Sequence, residues 1–239
     1  MRIVLHGYGR MGRETEQAAR LKGHEISVIL NSRRPLASHP IEGDVVIDFS
    51  TAAAVAELLP QAARCGVPVV SGTTGWDFDR GRLERIQGLT LLFSPNFSTG
   101  VHVLNLLVAA AAECLDRIGG YDGYLHEWHH NQKADSPSGT ARMLAETLLS
   151  KSSAKTHIMS ETAHGKIDPK ALHITSTRAG RRPGIHEVGF DSASDLIQLR
   201  HSAHNRSGFA AGAVLAAEWI QGRSGVFEME DFMQGLLKK

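Results

Sequence analysis

The fold class of this 239-residue chain is indicated most clearly by its first residues, Arg2-Ile3-Val4-Leu5-His6-Gly7-Tyr8-Gly9-Arg10-Met11-Gly12. This stretch begins as a short apolar run typical of a buried strand and passes directly into a glycine-rich turn. A helical pattern follows over residues 10–22, Gly23 ends it, and residues 25–30 have a second strand pattern. A strand–helix–strand unit of about thirty residues predicts a dinucleotide-binding start.

The spacing Gly7-x-Gly9-x-x-Gly12 favours dinucleotide binding because each glycine has a separate physical use. Gly7 permits the tight turn, Gly9 lets a pyrophosphate approach the backbone, and Gly12 lets the helix pack closely on the strand. The helix start at Arg10 and Met11 offers N–H groups and a positive dipole end to phosphates. The alternative is a purely structural turn.

The end of the second strand bears on which dinucleotide is used. An acidic residue there would accept a hydrogen bond from the ribose 2′-hydroxyl, but the sequence reads Leu30-Asn31-Ser32-Arg33-Arg34. Two arginines suit a 2′-phosphate instead. We therefore expect NADPH to be preferred over NADH, with Asn31, Arg33 and Arg34 at the ribose. The alternative is a solvated basic loop.

Further strands over residues 44–49, 67–71 and 90–93 alternate with helical patterns over 51–65 and 79–87. This alternation predicts an α/β fold whose N-terminal domain is a Rossmann-like, doubly wound parallel sheet. Ligands bind at the carboxyl ends of such strands. The loops after the fourth and fifth strands should border the nicotinamide half of the cofactor, which makes binding residues of Gly72, Thr73, Thr74, Pro95, Asn96 and Phe97.

The pattern then changes to long helices over residues 101–118 and 137–151, an extended segment over 121–128 and strand-like stretches within 173–200. A C-terminal α+β domain for substrate binding and oligomerisation is expected. An apolar helix over residues 209–221 and a short helix from Met229 close the chain. The expected domains are residues 1–98 with 207–239 and residues 99–206, with hinges near 97–99 and 206–208.

Bulk composition bounds the function classes. A formal net charge of +1 and the absence of an eighteen-residue apolar run give no reason to expect nucleic-acid or membrane partners. No signal-peptide pattern opens the chain, and Cys65 and Cys114 lie in apolar helical patterns. Both are expected to be free, buried thiols in a reducing cytoplasm.

His126-Glu127-Trp128-His129-His130 satisfies the H-E-x-x-H pattern of zinc hydrolases. That chemistry requires a helix, so that the two outer histidines share one face. Glycines at 119, 120 and 123 break a helix, and Tyr124 and Trp128 favour a strand. In a strand, His126 and His130 would lie about 13 Å apart. We expect no metal and keep a zinc hydrolase as the alternative.

Downstream lies a coherent anion site. Lys133 supplies a cation, and Asp135 or Ser136 would cap a helix with Pro137 at its first position. Gly139 and Thr140 would then present backbone N–H groups to a small carboxylate. His129 or His130 could donate a proton near neutral pH. The alternative is that these are merely exposed polar residues.

Residues 127–141, Glu-Trp-His-His-Asn-Gln-Lys-Ala-Asp-Ser-Pro-Ser-Gly-Thr-Ala, strongly resemble the E-x-H-H-x-x-K-x-D-A-P-S-G-T-A signature of the 4-hydroxy-tetrahydrodipicolinate (dihydrodipicolinate) reductases of diaminopimelate and lysine biosynthesis. The chain departs from the family pattern at three points. Ser136 replaces an alanine, Asn31 replaces an acidic residue, and the glycine-rich turn is one residue shorter than in the longer form of the family motif. Other matching segments are Gly9-Arg10-Met11-Gly12, Asp48-Phe49-Ser50, residues 72–75, 96–101 and 178–180, Arg206-Ser207-Gly208-Phe209 and residues 225–229.

The resemblance implies an oxidoreductase that passes a hydride from NADPH or NADH to ring carbon 4 of a cyclic imine dicarboxylate. It implies that His129 donates the proton, that Lys133 binds a carboxylate and stabilises charge, and that His130 holds the substrate. It further implies that Gly139 and Thr140 bind the second carboxylate and that Arg206 borders the pocket, while Phe49 joins the cofactor site. A cytoplasmic homotetramer built through the sheet of the middle domain is implied. A catalytically silent dinucleotide-binding sensor is the third possibility.

Overall fold

The computed structural model describes residues 1–237 and contains two compact units. The first comprises Met1–Thr99 and the segment from Arg206 onward, and the second is Gly100–Asn205. The strands are β1 Arg2–His6, β2 Glu25–Leu30, β3 Val45–Asp48, β4 Val69–Ser71, β5 Thr90–Phe93, β6 Asp122–His129, β7 His157–Met159, β8 Ala171–Arg178, β9 Gly184–Asp191, β10 Leu196–Ala203 and β11 Gly225–Glu228. The helices are α1 Arg10–Leu21, α2 Ala52–Cys65, α3 Arg80–Leu83, α4 Thr99–Ile118, α5 Gly139–Lys151, α6 Ser207–Trp219 and α7 Met229–Leu237.

The first unit is built on a six-stranded parallel sheet in the order β11-β5-β4-β3-β1-β2. Its central strands are mainly apolar because both faces are covered, and all four residues of Val45–Asp48 are buried. Strand β1 lies between β2 and β3, so the direction of strand order reverses beside it. The predicted Rossmann-like doubly wound sheet is confirmed, and this reversal point is where such sheets bind ligands.

The second unit contains a mixed five-stranded sheet in the order β10-β9-β6-β8-β7. Strand β6 pairs in parallel with β8 and antiparallel with β9. Along β6 alternate residues are buried, and Leu125 packs in one core with Leu104 of α4 and Leu144 of α5. This α+β architecture was predicted.

Several local predictions differ from the structure. The helix expected over residues 79–87 is only the single turn Arg80–Leu83, because Leu83 is its only buried residue. The helix expected from Pro137 begins at Gly139, because the Ser138 side chain caps it by accepting the Ala141 N–H at 3.1 Å. Strands β7 and β11 were not predicted.

The two cysteines are free, as expected, but the prediction that they are buried is wrong. Cys65 and Cys114 are both exposed, because they lie on the outward faces of α2 and α4. Within residues 1–237 no helix combines the length and apolarity needed to cross a membrane.

Candidate active site

The predicted dinucleotide turn connects β1 to α1. Gly7 has φ +88°, and a Cβ on it would lie 2.3 Å from the Phe49 carbonyl oxygen. A Cβ on Gly12 would lie 2.3 Å from the Gly7 carbonyl oxygen, so both positions require glycine. A Cβ on Gly9 would meet no atom within 4 Å, and Gly9 gives α1 no side-chain cap. Open space before an uncapped helix start fits a pyrophosphate group.

The loops after β3, β4 and β5 are joined to one another. The Phe49 ring lies where a Cβ of Gly72 would approach it to 2.1 Å, and it meets Phe97 edge-on at 6.1 Å between centroids. Thr73 Oγ1 accepts the Ser50 N–H at 2.8 Å. The structure therefore brings Phe49, Gly72, Thr73 and Phe97 together at the carboxyl edge of the sheet. Three further predicted residues lie in the same loops, namely Thr74 and Pro95, which are exposed, and Asn96, which is half-buried.

The buried Asp48 connects the strand ends that carry these loops. No role was predicted for it from the sequence. Its Oδ1 lies 2.8 Å from His6 Nδ1 and accepts the Ser50 hydroxyl at 2.5 Å. Its Oδ2 accepts the Ser71 hydroxyl at 2.7 Å. The ends of β1, β3 and β4 are thereby connected through one carboxylate. A lone acid closing an otherwise apolar strand was the available signal.

The segment after β2 forms a compact basic turn. Asn31 Oδ1 accepts the N–H groups of Arg33 at 2.9 Å and Arg34 at 3.1 Å. Both arginines are exposed, and across the described residues neither forms an ion pair. Asn31 therefore shapes the turn, while the two guanidinium groups are left to solvent or a ligand.

In the second unit, β6 carries the H-E-x-x-H pattern on a strand, as predicted. His126 Nδ1 lies 2.8 Å from Thr175 Oγ1, and His130 follows the end of the strand. The extended backbone separates these two histidines by about 13 Å, so they cannot share one zinc ion. Glu127 and His129 lie on the opposite, buried face.

Glu127 is fully buried at the centre of a polar cluster that sequence reasoning missed. Its Oε1 accepts the Ser138 N–H at 3.0 Å, the Ser176 hydroxyl at 2.7 Å and Arg178 Nη2 at 2.7 Å. Burial raises the pKa of Glu127, but the hydrogen bonds from Ser138, Arg178 and Ser176 outweigh it and bring the pKa to about 2. The carboxylate is therefore ionised at neutral pH.

Strand pairing assembles this cluster. Glu127 lies opposite Ser176 on β8 and opposite His186 on β9, and His129 lies opposite Arg178. The available signal was the period of two along β6, which puts an acid on the same face as Leu125. Its partners come from strands about fifty residues away, which no local pattern reveals.

His129 is 5 % exposed, and its Nδ1 lies 3.3 Å from Glu127 Oε2. Burial lowers the pKa of His129 to about 4, although the charge of Glu127 acts in the opposite direction. The imidazole is therefore neutral at neutral pH in the ligand-free protein. This differs from the expectation of a histidine that is protonated near neutral pH, because the sequence did not show that the ring is buried.

The turn from β6 to α5 contains the residues that were predicted to bind a carboxylate. Lys133 Nζ lies 2.6 Å from Asp135 Oδ1, and this bond is the main cause that lowers the pKa of Asp135. The Gly139 N–H also stabilises the charged Asp135 carboxylate. Asp135 thus engages a cation and a helix-start N–H that were both predicted for a substrate carboxylate. Thr140 is the second residue of α5, and His130 is half-buried beside this turn.

Arg206 lies in the first unit, where it is exposed and precedes α6. Its place beside the β6–α5 turn stays a prediction.

Comparison with known proteins decides the family. Residues 1–97 match the family model for the N-terminus of dihydrodipicolinate reductase, and residues 100–233 match the model for its C-terminus. The chain belongs to the dihydrodipicolinate reductase family. It is 36% identical over 244 aligned positions, covering 100% of both chains, to a 4-hydroxy-tetrahydrodipicolinate reductase of Christiangramia forsetii. It is 35% identical to the enzyme of that name from Rickettsia rickettsii, over 93% of this chain and 94% of the relative.

Solved structures agree on the fold. A dipicolinate-bound dihydrodipicolinate reductase from Paenisporosarcina sp. TG-14 superposes with a TM-score of 0.77 at 22% identity, covering 95% of this chain and 97% of that one. An aspartate semialdehyde dehydrogenase II from Vibrio cholerae shares the fold at a TM-score of 0.56 and 11% identity, over 93% and 98% of the two chains.

Family membership confirms the predicted activity class. The chain is an oxidoreductase that reduces 4-hydroxy-tetrahydrodipicolinate in the diaminopimelate route to lysine, and its family uses a nicotinamide dinucleotide. The zinc hydrolase and the silent sensor are not favoured.

Proposed function

We propose that this reductase handles its substrate at the β6–α5 turn, with His129 as the proton donor and Lys133 as the main charged contact. The observation that carries the proposal is the pairing of Asp135 with Lys133 and the Gly139 N–H. The Asp135 carboxylate lies where a substrate carboxylate is proposed to bind, which supports the choice of these groups as carboxylate partners.

The substrate is a small dicarboxylate. Lys133 and the start of α5 at Gly139 and Thr140 bind its carboxylates, while His130 and Arg206 hold the remainder of the molecule. The dipicolinate bound to the relative from Paenisporosarcina supports this ligand class. On binding, the substrate displaces Asp135 from Lys133.

The bound cofactor supplies the hydride for ring carbon 4. His129 then delivers a proton from Nε2 to the neighbouring ring carbon, where a C–H bond forms. Because the free imidazole has a pKa of about 4, it must gain its proton when the substrate is present. Two substrate carboxylates bring negative charge close to the ring and raise the pKa of His129, so binding itself favours the protonated acid.

The dinucleotide lies along the carboxyl edge of the first unit. The turn from Gly7 to Gly12 would hold its pyrophosphate, and NADPH would be preferred because Arg33 and Arg34 would bind a 2′-phosphate without a competing acid. The loops that carry Phe49, Gly72–Thr74 and Pro95–Phe97 would hold the nicotinamide half. Comparing kcat/KM for NADPH and NADH tests this preference, and a higher value with NADH would contradict it.

Residues 1–98 with 207–239 form the dinucleotide-binding domain in this proposal, and 99–206 form the substrate domain. The chain assembles as a homotetramer through the sheet of the second unit. Support comes from the edge strand β10, on which Leu196 is 48% and Ile197 37% exposed. Light scattering at several concentrations tests the assembly.

The decisive assay is NADPH oxidation with 4-hydroxy-tetrahydrodipicolinate generated enzymatically in the cuvette. We expect turnover that depends on the substrate-generating enzyme. Binding of NADPH without turnover would instead select the silent sensor.

A further inference from the structure

We propose that Glu127 is a positioning residue whose two carboxylate oxygens have separate tasks: Oε1 holds the start of α5, and Oε2 fixes the tautomer of His129. The inference rests on the proposed role of His129 as the proton donor. Nothing in the signature itself assigns this task to the glutamate.

The first task follows from the contacts of Oε1. This oxygen accepts the Ser138 N–H at 3.0 Å, and Ser138 is the N-cap of α5. Arg178 and Ser176 each donate to the same oxygen at 2.7 Å and hold it in place. A fully buried carboxylate on β6 therefore sets where the carboxylate-binding helix begins.

The second task follows from what Oε2 lacks. It is buried, and in the described structure no group donates a hydrogen bond to it. His129 Nδ1 is likewise buried without a hydrogen-bond partner and lies 3.3 Å away. Two such atoms on facing groups are both satisfied if Nδ1 carries a proton and turns it slightly toward Oε2.

His186 also faces Oε2, with Nε2 at 3.7 Å, but it does not compete for it. Ser138 Oγ lies 3.2 Å from His186 Nε2 and already accepts the Ala141 N–H, so we assign the Ser138 hydroxyl as the donor to Nε2. An Nε2 that accepts this proton carries none of its own. Within residues 1–237, His129 is thus the imidazole placed to donate to Oε2.

The consequence concerns the proton that is transferred. With Nδ1–H directed at Glu127, Nε2 is the nitrogen that gains a proton from solvent and gives it to the substrate carbon. The N–H electron pair remains on Nε2, a C–H bond forms, and the neutral ring retains its Nδ1 proton. In the other neutral tautomer of His129, the proton is on Nε2 and Nδ1 carries a lone pair. That lone pair would face the negatively charged Glu127 carboxylate, which repels it.

The same three side chains could be taken for a metal site, because donor atoms of Glu127, His129 and His186 lie within 4.8 Å of one another. Two contacts argue against it. Arg178 already places a cation 2.7 Å from the carboxylate, and Ser138 Oγ lies 3.2 Å from His186 Nε2. A second cation would have to displace both.

The test compares Glu127→Gln with Glu127→Ala and uses the exposed Glu146→Gln on α5 as the matched control. In Glu127→Gln, the amide oxygen can still accept the Ser138 N–H, but the amide NH₂ donates toward Nδ1 and reverses the tautomer. We expect kcat to fall about 10²-fold or more with substrate KM changed less than about threefold. Glu127→Ala loses both tasks, so KM rises as well; Glu146→Gln matches the parent.

Nitrogen NMR of histidine-labelled parent protein measures the tautomer directly and requires no variant. We expect His129 to be protonated on Nδ1 in the free protein and on Nε2 in Glu127→Gln. An Nε2-protonated parent, or near-normal kcat in Glu127→Gln, would overturn the inference. So would stoichiometric zinc in the parent protein whose removal by a chelator abolishes turnover.

The His129→Asn variant separates this inference from the proposed function. If His129→Asn is inactive while Glu127→Gln is active, the positioning role is wrong and the acid assignment stands. If His129→Asn retains normal turnover, the acid assignment itself is wrong.

Discussion

Within residues 1–237, each unit contains one fully buried carboxylate, Asp48 at the end of β3 and Glu127 within β6, and their oxygens are satisfied differently. Asp48 in the first unit has partners on both oxygens: His6 and Ser50 contact Oδ1, and Ser71 donates to Oδ2. Glu127 in the second unit has three donors on one oxygen and none on the other. The comparison indicates that a buried carboxylate with hydrogen-bond partners on both oxygens has a structural role. A buried carboxylate oxygen without a donor beside a histidine indicates a role in catalysis.

The largest effect should come from the histidine beside the open oxygen. His129→Ala is expected to lower kcat by about 10²–10⁴-fold, the usual contribution of a general acid. His126→Ala on the opposite face of the same strand is the control and should keep most of the activity. Binding of NADPH, measured by fluorescence titration, should be retained in both. Comparable losses in both variants would indicate damage to β6 and not loss of an acid.

Neutralising each buried carboxylate should lower the free energy of unfolding by different amounts in the two clusters. Glu127→Gln leaves Arg178 without its counter-ion, and we expect a loss of about 2–3 kcal/mol, below the cost for a fully buried pair because Arg178 is partly exposed. Asp48→Asn faces hydroxyl groups that can rotate, so about 1 kcal/mol is expected. Urea unfolding measures both free energies, and a larger loss in Asp48→Asn than in Glu127→Gln would contradict this contrast.

Acid should destabilise the Glu127 cluster. Burial lowers the pKa of His186 to about 3 from 6.5, so below pH 6.5 the unfolded chain binds a proton that the native state refuses. The contribution of His186 to the free energy of unfolding is therefore fully present above pH 6.5 and is lost as the pH falls toward 3. Two further groups add to this loss. The pKa of His129 is lowered from 6.5 to about 4 and that of Glu127 from 4.5 to about 2, so His129 destabilises the fold below pH 6.5 and Glu127 does so below pH 4.5.

His186→Asn isolates the contribution of His186. It should flatten the slope of unfolding free energy against pH by about 1.4 kcal/mol per pH unit between those limits. Urea unfolding at a series of pH values measures it, and parallel curves for parent and variant would contradict the assignment.

The smallest effect is expected at Asp135, which is exposed and occupies Lys133 in the free protein. Asp135→Asn removes the competing charge while keeping the side-chain size, so substrate KM should fall about two- to fivefold, within the value of an exposed ion pair. Steady-state kinetics measures it against the distant control Asp168→Asn. A raised KM would show that Asp135 supports the turn more than it competes.

The sequence sufficed for features written in local patterns. Gly7, Gly9 and Gly12 have distinct steric needs within six residues, so the turn could be predicted before the structure was known. The strand character of His126–His130 could be predicted too, because flanking glycines exclude a helix.

What could not be predicted depends on strand register. Ser176, Arg178 and His186 reach Glu127 only through the pairing of β8 and β9 with β6. The depressed pKa of His129 followed from the same burial and was equally hidden. The Ser138 cap was missed because Asp135, Ser136 and Ser138 are all good capping residues, and the hydrogen bond from Ser138 N–H to Glu127 selects among them.

The Asp135–Lys133 contact has a consequence for selectivity under the proposed function. A ligand with one carboxylate that enters the turn exchanges one anion for another, so the turn itself gains no net electrostatic energy. Only a molecule whose second carboxylate finds a partner elsewhere gains from the exchange. Because the Asp135 carboxylate competes for Lys133, monoanions such as acetate should bind weakly at this turn, and dianions should bind more tightly.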